Sequence, residues 1–301
     1  MASVVLHIGP PKTGTTSIQS FLHQHRSALL NLGFIYPDQV NHQEIFNYFK
    51  YGYADEPKIL TEALYHTKRL DGKLIISCEF FSAFTSQDFC NLKRYFNKKG
   101  IEDVKVFFLV REPTFITLSS RQELLKKGLT FDAPELSGVA MRYSELWGRV
   151  ARAFDEKEII FSAYRETRFD VVSEFLKIFE IDIPYREKVI KNTSLSFQEC
   201  CLISYLNNHS IDYNLKVLRK YFIALKTDPF GGWESEKKFL LDDSEKECLW
   251  IRNNTDLEIE TVESSFEWYK EDDYLNSLTL LKGINIIPSF FTLKPLSLKD
   301  S

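Results

Sequence analysis

Short apolar runs rich in β-branched residues alternate with stretches of helical period along the first half of the chain. Val4 to Ile8 is one such run, closed by Gly9, with the length of a buried strand. Ile18, Phe21, Leu22 and Leu29 then recur near the i, i+3, i+4 spacing of an amphipathic helix. Leu32 to Pro37 reads as a short extended segment, with Gly33 placed to end the preceding helix. Gln43 to about Leu70 reads as helical with a break near Gly52 to Pro57. Lys73 to Cys78 is a second strand, and a helix follows from about Ser86 until Gly100 stops it. Val104 to Val110 is the strongest strand signal in the chain, and Pro113 suits the first turn of a helix running to about Lys127. The pattern continues with a helix over Glu135 to Phe154, a strand over Glu158 to Ser162 and a helix from Glu166 to Phe179. Helices dominate from Leu195 onward, and Phe230-Gly231-Gly232-Trp233 reads as an aromatic surface turn among them.

Four successive strand–helix alternations predict an α/β fold: a central, mainly parallel sheet flanked by helices in three layers, followed by a helical C-terminal part. No internal repeat, low-complexity tract or Gly/Pro/Ser-rich linker interrupts the chain. The expected organisation is therefore one domain over 1–301, with an α/β core at 1–180 and a mostly helical part at 181–301 packed on it. In such sheets ligands bind outside the carboxyl ends of the strands. The Gly9 loop, Glu79 and Arg111 each follow a strand directly.

Composition narrows the classes of function. At 301 residues with 44% apolar content the chain can bury a large core, and its 25 Phe and 14 Tyr make that core and its clefts aromatic. A formal charge of −4 provides no global basic field for nucleic acid. The five cysteines show no metal-ligand or redox-motif spacing, as expected of reduced thiols. Met-Ala-Ser-Val-Val lacks the features of a signal peptide, and no run reaches the roughly 18 apolar residues of a membrane span. The expectation is a soluble, cytoplasmic protein without an N-terminal anchor.

The chemistry concentrates in Gly9-Pro10-Pro11-Lys12-Thr13-Gly14-Thr15-Thr16-Ser17. A strand, a glycine-containing loop with one Lys, and a helix start rich in hydroxyls together make an anion site: unpaired backbone N–H groups and the positive end of the helix dipole face the loop. Gly9 and Gly14 have the separation of the nucleotide-triphosphatase loop, G-x-x-x-x-G-K-[ST], but Thr15 stands where the Lys of that motif belongs. The lysine has moved into the loop.

In this form the segment resembles the 5′-phosphosulfate loop of sulfotransferases that use 3′-phosphoadenosine 5′-phosphosulfate (PAPS), a P-loop-like fold. The resemblance implies that Pro11, Lys12, Thr13, Gly14, Thr15, Thr16 and Ser17 hold the 5′-phosphosulfate. Arg111 at a strand end and Ser119 eight residues later match the family's 3′-phosphate pair, although Glu112 stands where the family more often has Asn or Asp before the Pro. Lys12 is then the catalytic cation on the leaving oxygen, the product is 3′,5′-diphosphoadenosine (PAP), and no metal is required. The loop and the Arg111–Ser119 pair span about the first 120 residues, and resemblance beyond that is thin.

The acceptor hydroxyl needs a base. Glu79 is the first candidate, since it follows a strand beside Phe80, Phe81 and Phe84, where an apolar setting raises a carboxyl pKa, and its Ser77-Cys78-Glu79 context resembles a segment of bacterial sulfotransferases. His42 is the second candidate. His7, within the first strand, reads as buried and structural. Tyr164 and Arg165 are weaker wall residues, and Lys191-Asn192-Thr193-Ser194 reads as a polar loop capping the next helix. The acceptor expected from the resemblance is a carbohydrate, a glycolipid or another small hydroxyl compound. Two rival readings remain at the level of sequence: a P-loop kinase or nucleotide hydrolase, and a non-catalytic nucleotide-binding protein of the same fold.

Overall fold

The structure, a computed structural model, describes residues 1–133, 141–165, 170–185, 195–214, 230–259 and 267–283. Its chain falls into two compact units. One comprises Met1–Arg111, Arg142–Val189 and Leu249–Glu260; the other comprises Glu112–Met141, Ile190–Cys248 and Thr261–Ser301.

The first unit is built on five parallel strands: β1 (Ser3–His7), β2 (Phe34–Ile35), β3 (Lys73–Ser77), β4 (Asp103–Val110) and β5 (Ile159–Ala163), in the spatial order β2-β3-β1-β4-β5. Between them run α1 (Thr15–Gln24), α2 (Arg26–Asn31), α3 (Gln43–Tyr51), α4 (Lys58–Leu70) and α5 (Ser86–Lys98). Parallel strands covered on both faces are apolar throughout, not alternating. All five residues of β1 are buried, which is why Val4 to Ile8 carries no polar face. On one face Val5, Ile75, Phe107 and Leu109 pack with Ile18, Phe21 and Leu22 of α1 and with Val171, Val172, Phe175 and Leu176. The alternate residues Val4, Leu6, Leu74, Ile76, Val106 and Phe108 are buried as well. The fold is thus the α/β architecture that the pattern predicts, with every strand of the sheet parallel.

Local signals act where expected. Gly33 and Gly100 take φ of +81° and +75° just beyond the ends of α2 and α5, conformations that an L side chain adopts only at a cost. Thr85 and Asp88 form a capping box at the start of α5. The stretch expected to be helical over Glu135 to Phe154 contains α7 (Tyr143–Val150); residues 134–140 lie outside the described part. The next helix, α8 (Val171–Ile178), begins at Val171 because the Asp170 carboxylate accepts from the N–H groups of Val172 and Ser173.

In the second unit, α6 (Pro113–Lys126) and α9 (Phe197–Asn208) share a core with Phe131, Trp233, Tyr274, Leu278 and Leu281. One prediction changes here. Phe230-Gly231-Gly232-Trp233 is not a surface turn: β6 (Phe230–Trp233) pairs in parallel with β7 (Glu267–Tyr269), and Trp233 is buried. Gly232 has φ +121°, and a Cβ there would meet Trp268 Cζ3 at 2.8 Å, so the glycine is required by the packing of the pair. Glu112 has a structural explanation as well. It caps α6, accepting from the N–H of Phe115 at 2.9 Å and from the hydroxyl of Ser244 on α10 (Glu234–Asn254). Burial pushes the pKa of this carboxyl up. The last described helix is α11 (Glu271–Gly283). Among the described residues no helix is long and apolar enough to cross a membrane.

Candidate active site

The sheet brings four chain segments to its carboxyl edge. The loop after β1 is flanked by the ends of β3 and β4, its neighbours on either side, and this is where a ligand site forms in open parallel sheets. β3 delivers Glu79, β4 delivers Arg111, and β5 delivers Tyr164.

The loop is curled by positive φ at three positions: +86° at Gly9, +66° at Lys12 and +81° at Gly14. For Lys12 this left-handed conformation costs about 1–2 kcal/mol, so the surrounding contacts must hold it. One is the hydroxyl of Thr13, which donates to the Pro10 carbonyl at 2.6 Å and is fully buried. Its hydroxyl is therefore engaged inside the loop, and backbone is what Thr13 offers a ligand. Gly14 is the N-cap residue of α1, with no side-chain cap on the helix. A serine or aspartate there could accept from a first-turn N–H group; glycine has no side chain to do so. Gly14 is also fixed by packing, since a Cβ would come within 2.8 Å of Val171. Thr15 is buried, Thr16 and Pro11 are exposed, and Lys12 and Ser17 are partly exposed.

Arg111 reaches back into this loop. Its guanidinium donates to the Lys12 carbonyl at 2.7 Å and lies over the Tyr164 ring at 4.8 Å. Its backbone N–H donates to the buried Tyr143 hydroxyl at 2.8 Å. The strand-end arginine and the lysine loop are thus one assembly, with Tyr164 as a wall beneath the guanidinium. Ser119 is on α6, in the second unit, and partly exposed. Lys191-Asn192-Thr193-Ser194 and Glu166 lie outside the described residues; Arg165 is exposed.

Glu79 abuts the loop from the other side. A Cβ on Gly9 would lie 2.9 Å from Glu79 Cα and 3.2 Å from its carbonyl oxygen, so only glycine lets the two backbones approach this closely. The carboxylate is partly exposed, and the side-chain amides of Gln19 and Asn41 both donate to its Oε2, at 3.3 and 3.2 Å. Its immediate setting is therefore amide-lined and not the apolar pocket that the neighbouring phenylalanines suggest. Gln19, one turn into α1 and almost fully buried, ties the carboxylate to the helix that follows the loop. Sequence reasoning did not find Gln19; nothing in its local pattern marks it.

His42 is held differently. It is fully buried, its Nδ1 accepts from the Ser77 backbone N–H at 2.9 Å, and its own backbone N–H donates to the Ser77 carbonyl at 3.0 Å. Burial lowers its pKa to about 3, as it does for His7, whose Nδ1 is 2.7 Å from the Ser77 hydroxyl. Both imidazoles are neutral near pH 7. Since Nδ1 of His42 accepts, its proton is on Nε2. His7 is buried within β1, as the sequence suggests. Cys78, between the histidine-bound serine and Glu79, has its thiol pushed up to about 12 by burial and is no nucleophile at neutral pH.

No family model and no curated protein matches the chain. Among solved structures it is similar to the crystal structure of a sulfotransferase from Alicyclobacillus acidocaldarius, with 16% identity, a TM-score of 0.37, and coverage of 71% of this chain and 98% of that one.

Proposed function

We propose that the chain is a sulfotransferase that moves a sulfuryl group from PAPS to an acceptor hydroxyl, on a carbohydrate or glycolipid, in the cytoplasm. The observation that carries this reading is the bond between Arg111 and the Lys12 carbonyl, which joins a strand-end guanidinium to an anion loop whose lysine stands within it. A nucleotide with phosphates at both its 3′ and 5′ positions needs two such grips, and a triphosphate needs only one.

The residues fit the donor. The uncapped start of α1 and the loop N–H groups suit the 5′-phosphosulfate. The planar fork of Arg111 suits the 3′-phosphate, and the eight-residue spacing adds Ser119 to that phosphate as an expectation from sequence. When bound, the donor supplies a sulfuryl group on a good phosphate leaving group. Lys12 offsets the charge that grows on the bridging oxygen. Glu79 accepts the proton of the acceptor hydroxyl as the new S–O bond forms and the S–O bond to phosphate breaks. Glu79 is preferred to His42 because its carboxylate is partly exposed beside the loop, whereas the acceptor nitrogen of His42 already takes the Ser77 N–H. Gln19 and Asn41 hold the carboxylate in place.

Calorimetric titration tests the reading. Tight binding of PAP without Mg²⁺, weakened by Lys12→Ala, is expected. Preference for Mg·ATP over PAP would return the chain to the kinase or hydrolase class. Binding of PAP with no sulfate transfer to any member of a broad acceptor panel would make it a non-catalytic nucleotide-binding protein.

A further inference from the structure

Phe80, the residue after Glu79 in sequence, opens a row of aromatic rings. It lies in the 3-10 turn Glu79–Ala83 and is 41% exposed, unlike its neighbours Phe81 and Phe84, which are buried. The Phe80 ring centroid is 5.8 Å from that of Phe46 on α3; Phe46 is 6.4 Å from Tyr51 at the end of that helix; and Tyr51 is 6.0 Å from Tyr53. Tyr51 and Tyr53 are 63% and 58% exposed. Gly52 between them, with φ +65°, turns the chain so that the two tyrosines stand side by side. Phe46 is the floor of the row: it is buried, and stacks on Phe84 at 5.1 Å. The exposed rings are therefore mounted on a fixed base.

The chemistry of this surface selects its occupant. The exposed large apolar groups of residues 43–56 and 79–83 are Tyr51, Tyr53 and Phe80, all aromatic. Charge is also informative. Lys50, the cation of α3, is already paired with Asp88 at 2.8 Å, while Glu44 and Asp55 are exposed. The local field disfavours a polyanion. Flat rings with phenolic rims and exposed acids beside them suit a neutral glycan: the C–H faces of pyranose rings lie on the aromatic faces and sugar hydroxyls reach the tyrosine oxygens.

We propose that Phe80, Phe46, Tyr51 and Tyr53 form an acceptor subsite for a neutral oligosaccharide, which presents a hydroxyl to Glu79 at the end of the row. The assignment of Glu79 as base comes from the sulfotransferase reading, and the subsite rests on it.

The test uses the full chain and its Phe80→Ala, Tyr51→Ala and Tyr53→Ala variants, each checked for an unchanged melting temperature. Cellohexaose, maltohexaose, chitohexaose, a chondroitin sulfate hexasaccharide and 2-naphthol are titrated by NMR, and PAP by calorimetry. At least one neutral hexasaccharide binds the parent chain, and each ring removed weakens it by about two- to tenfold while PAP affinity is unchanged. The subsite is overturned if no neutral hexasaccharide binds, if only the sulfated hexasaccharide or naphthol binds, or if the alanine variants bind as the parent does. The PAP arm separates the two failures. PAP binding without glycan binding removes the subsite and leaves the sulfotransferase reading standing; glycan binding without PAP binding supports a glycan surface and removes the sulfotransferase reading.

Discussion

Arg111 donates from its guanidinium to the carbonyl of Lys12 at 2.7 Å, across 99 residues of sequence. One side chain thus both supports the strained lysine of the loop and presents a cation at the end of β4. Arg111→Lys keeps the charge but loses the planar fork, so that one amine cannot do both. The expected loss of PAP affinity is about 10- to 100-fold, the size of one or two hydrogen bonds to charged groups. Calorimetry with PAP reads it directly, and an unchanged affinity would remove Arg111 from the nucleotide site.

Glu79 and its amide partners separate under mutation. Glu79→Gln keeps the shape and loses the base; sulfate transfer is expected to fall by at least about 100-fold with PAP binding intact. Gln19→Ala leaves the base and removes one of its two donors, so kcat falls by roughly two- to tenfold and KM for the acceptor changes little. Steady-state kinetics on both variants distinguish loss of the chemical group from loss of its orientation. Wild-type kcat in Glu79→Gln would show that the base is elsewhere.

Gly9→Ala introduces a methyl group 2.9 Å from Glu79 Cα at a φ of +86°. The loop and the turn after β3 must move apart. A destabilisation of about 1–3 kcal/mol is expected from the backbone strain, measured as a shift of the urea midpoint. Transfer activity should fall further than PAP affinity, because the displaced backbone carries the carboxylate.

The buried histidines set an acid limit. His7 and His42 have pKa values of about 3 when folded against about 6.5 when unfolded. A depressed folded pKa means that the unfolded chain takes up the proton first. Stability is therefore fully present above about pH 6.5 and declines as pH falls toward 3, by up to about 1.4 kcal/mol per pH unit for each imidazole. Urea unfolding between pH 7.5 and 4.5 measures the slope. His42→Gln, whose side-chain oxygen can still accept the Ser77 N–H, is expected to remove close to half of the histidine contribution; an unchanged slope would show that His42 does not titrate on unfolding.

The sheet was legible because its strands are covered on both faces: Val4 to Ile8, Lys73 to Ser77 and Val104 to Val110 need no alternation and stand out as apolar blocks. The loop between β1 and α1 was legible as a turn because Gly9 and Gly14 both take positive φ, where glycine is the residue favoured. The pair β6–β7 was not, since Gly231 and Gly232 carry a turn signature and the partner strand is distant in sequence. Gln19 and Asn41 were hidden for a related reason. Their contacts with Glu79 span 60 and 38 residues and belong to no local pattern. His42 was singled out from sequence, but the side chain that reaches Glu79 is that of its neighbour Asn41, while the histidine turns toward the backbone of β3.

Strand length carries a further consequence. β1 ends level with β3 and with Phe107 of β4, but β4 continues through Phe108, Leu109 and Val110 before Arg111. That overhang measures about 10 Å along the sheet, three residues at about 3.3 Å each. It sets where the backbone of Arg111 stands, beyond the level at which the lysine loop begins, so that the side chain must fold back for its guanidinium to reach the Lys12 carbonyl. Removing two residues from β4 would keep every side chain on its own face yet draw the backbone of Arg111 back by roughly 7 Å, and the guanidinium would overshoot the Lys12 carbonyl that it now holds.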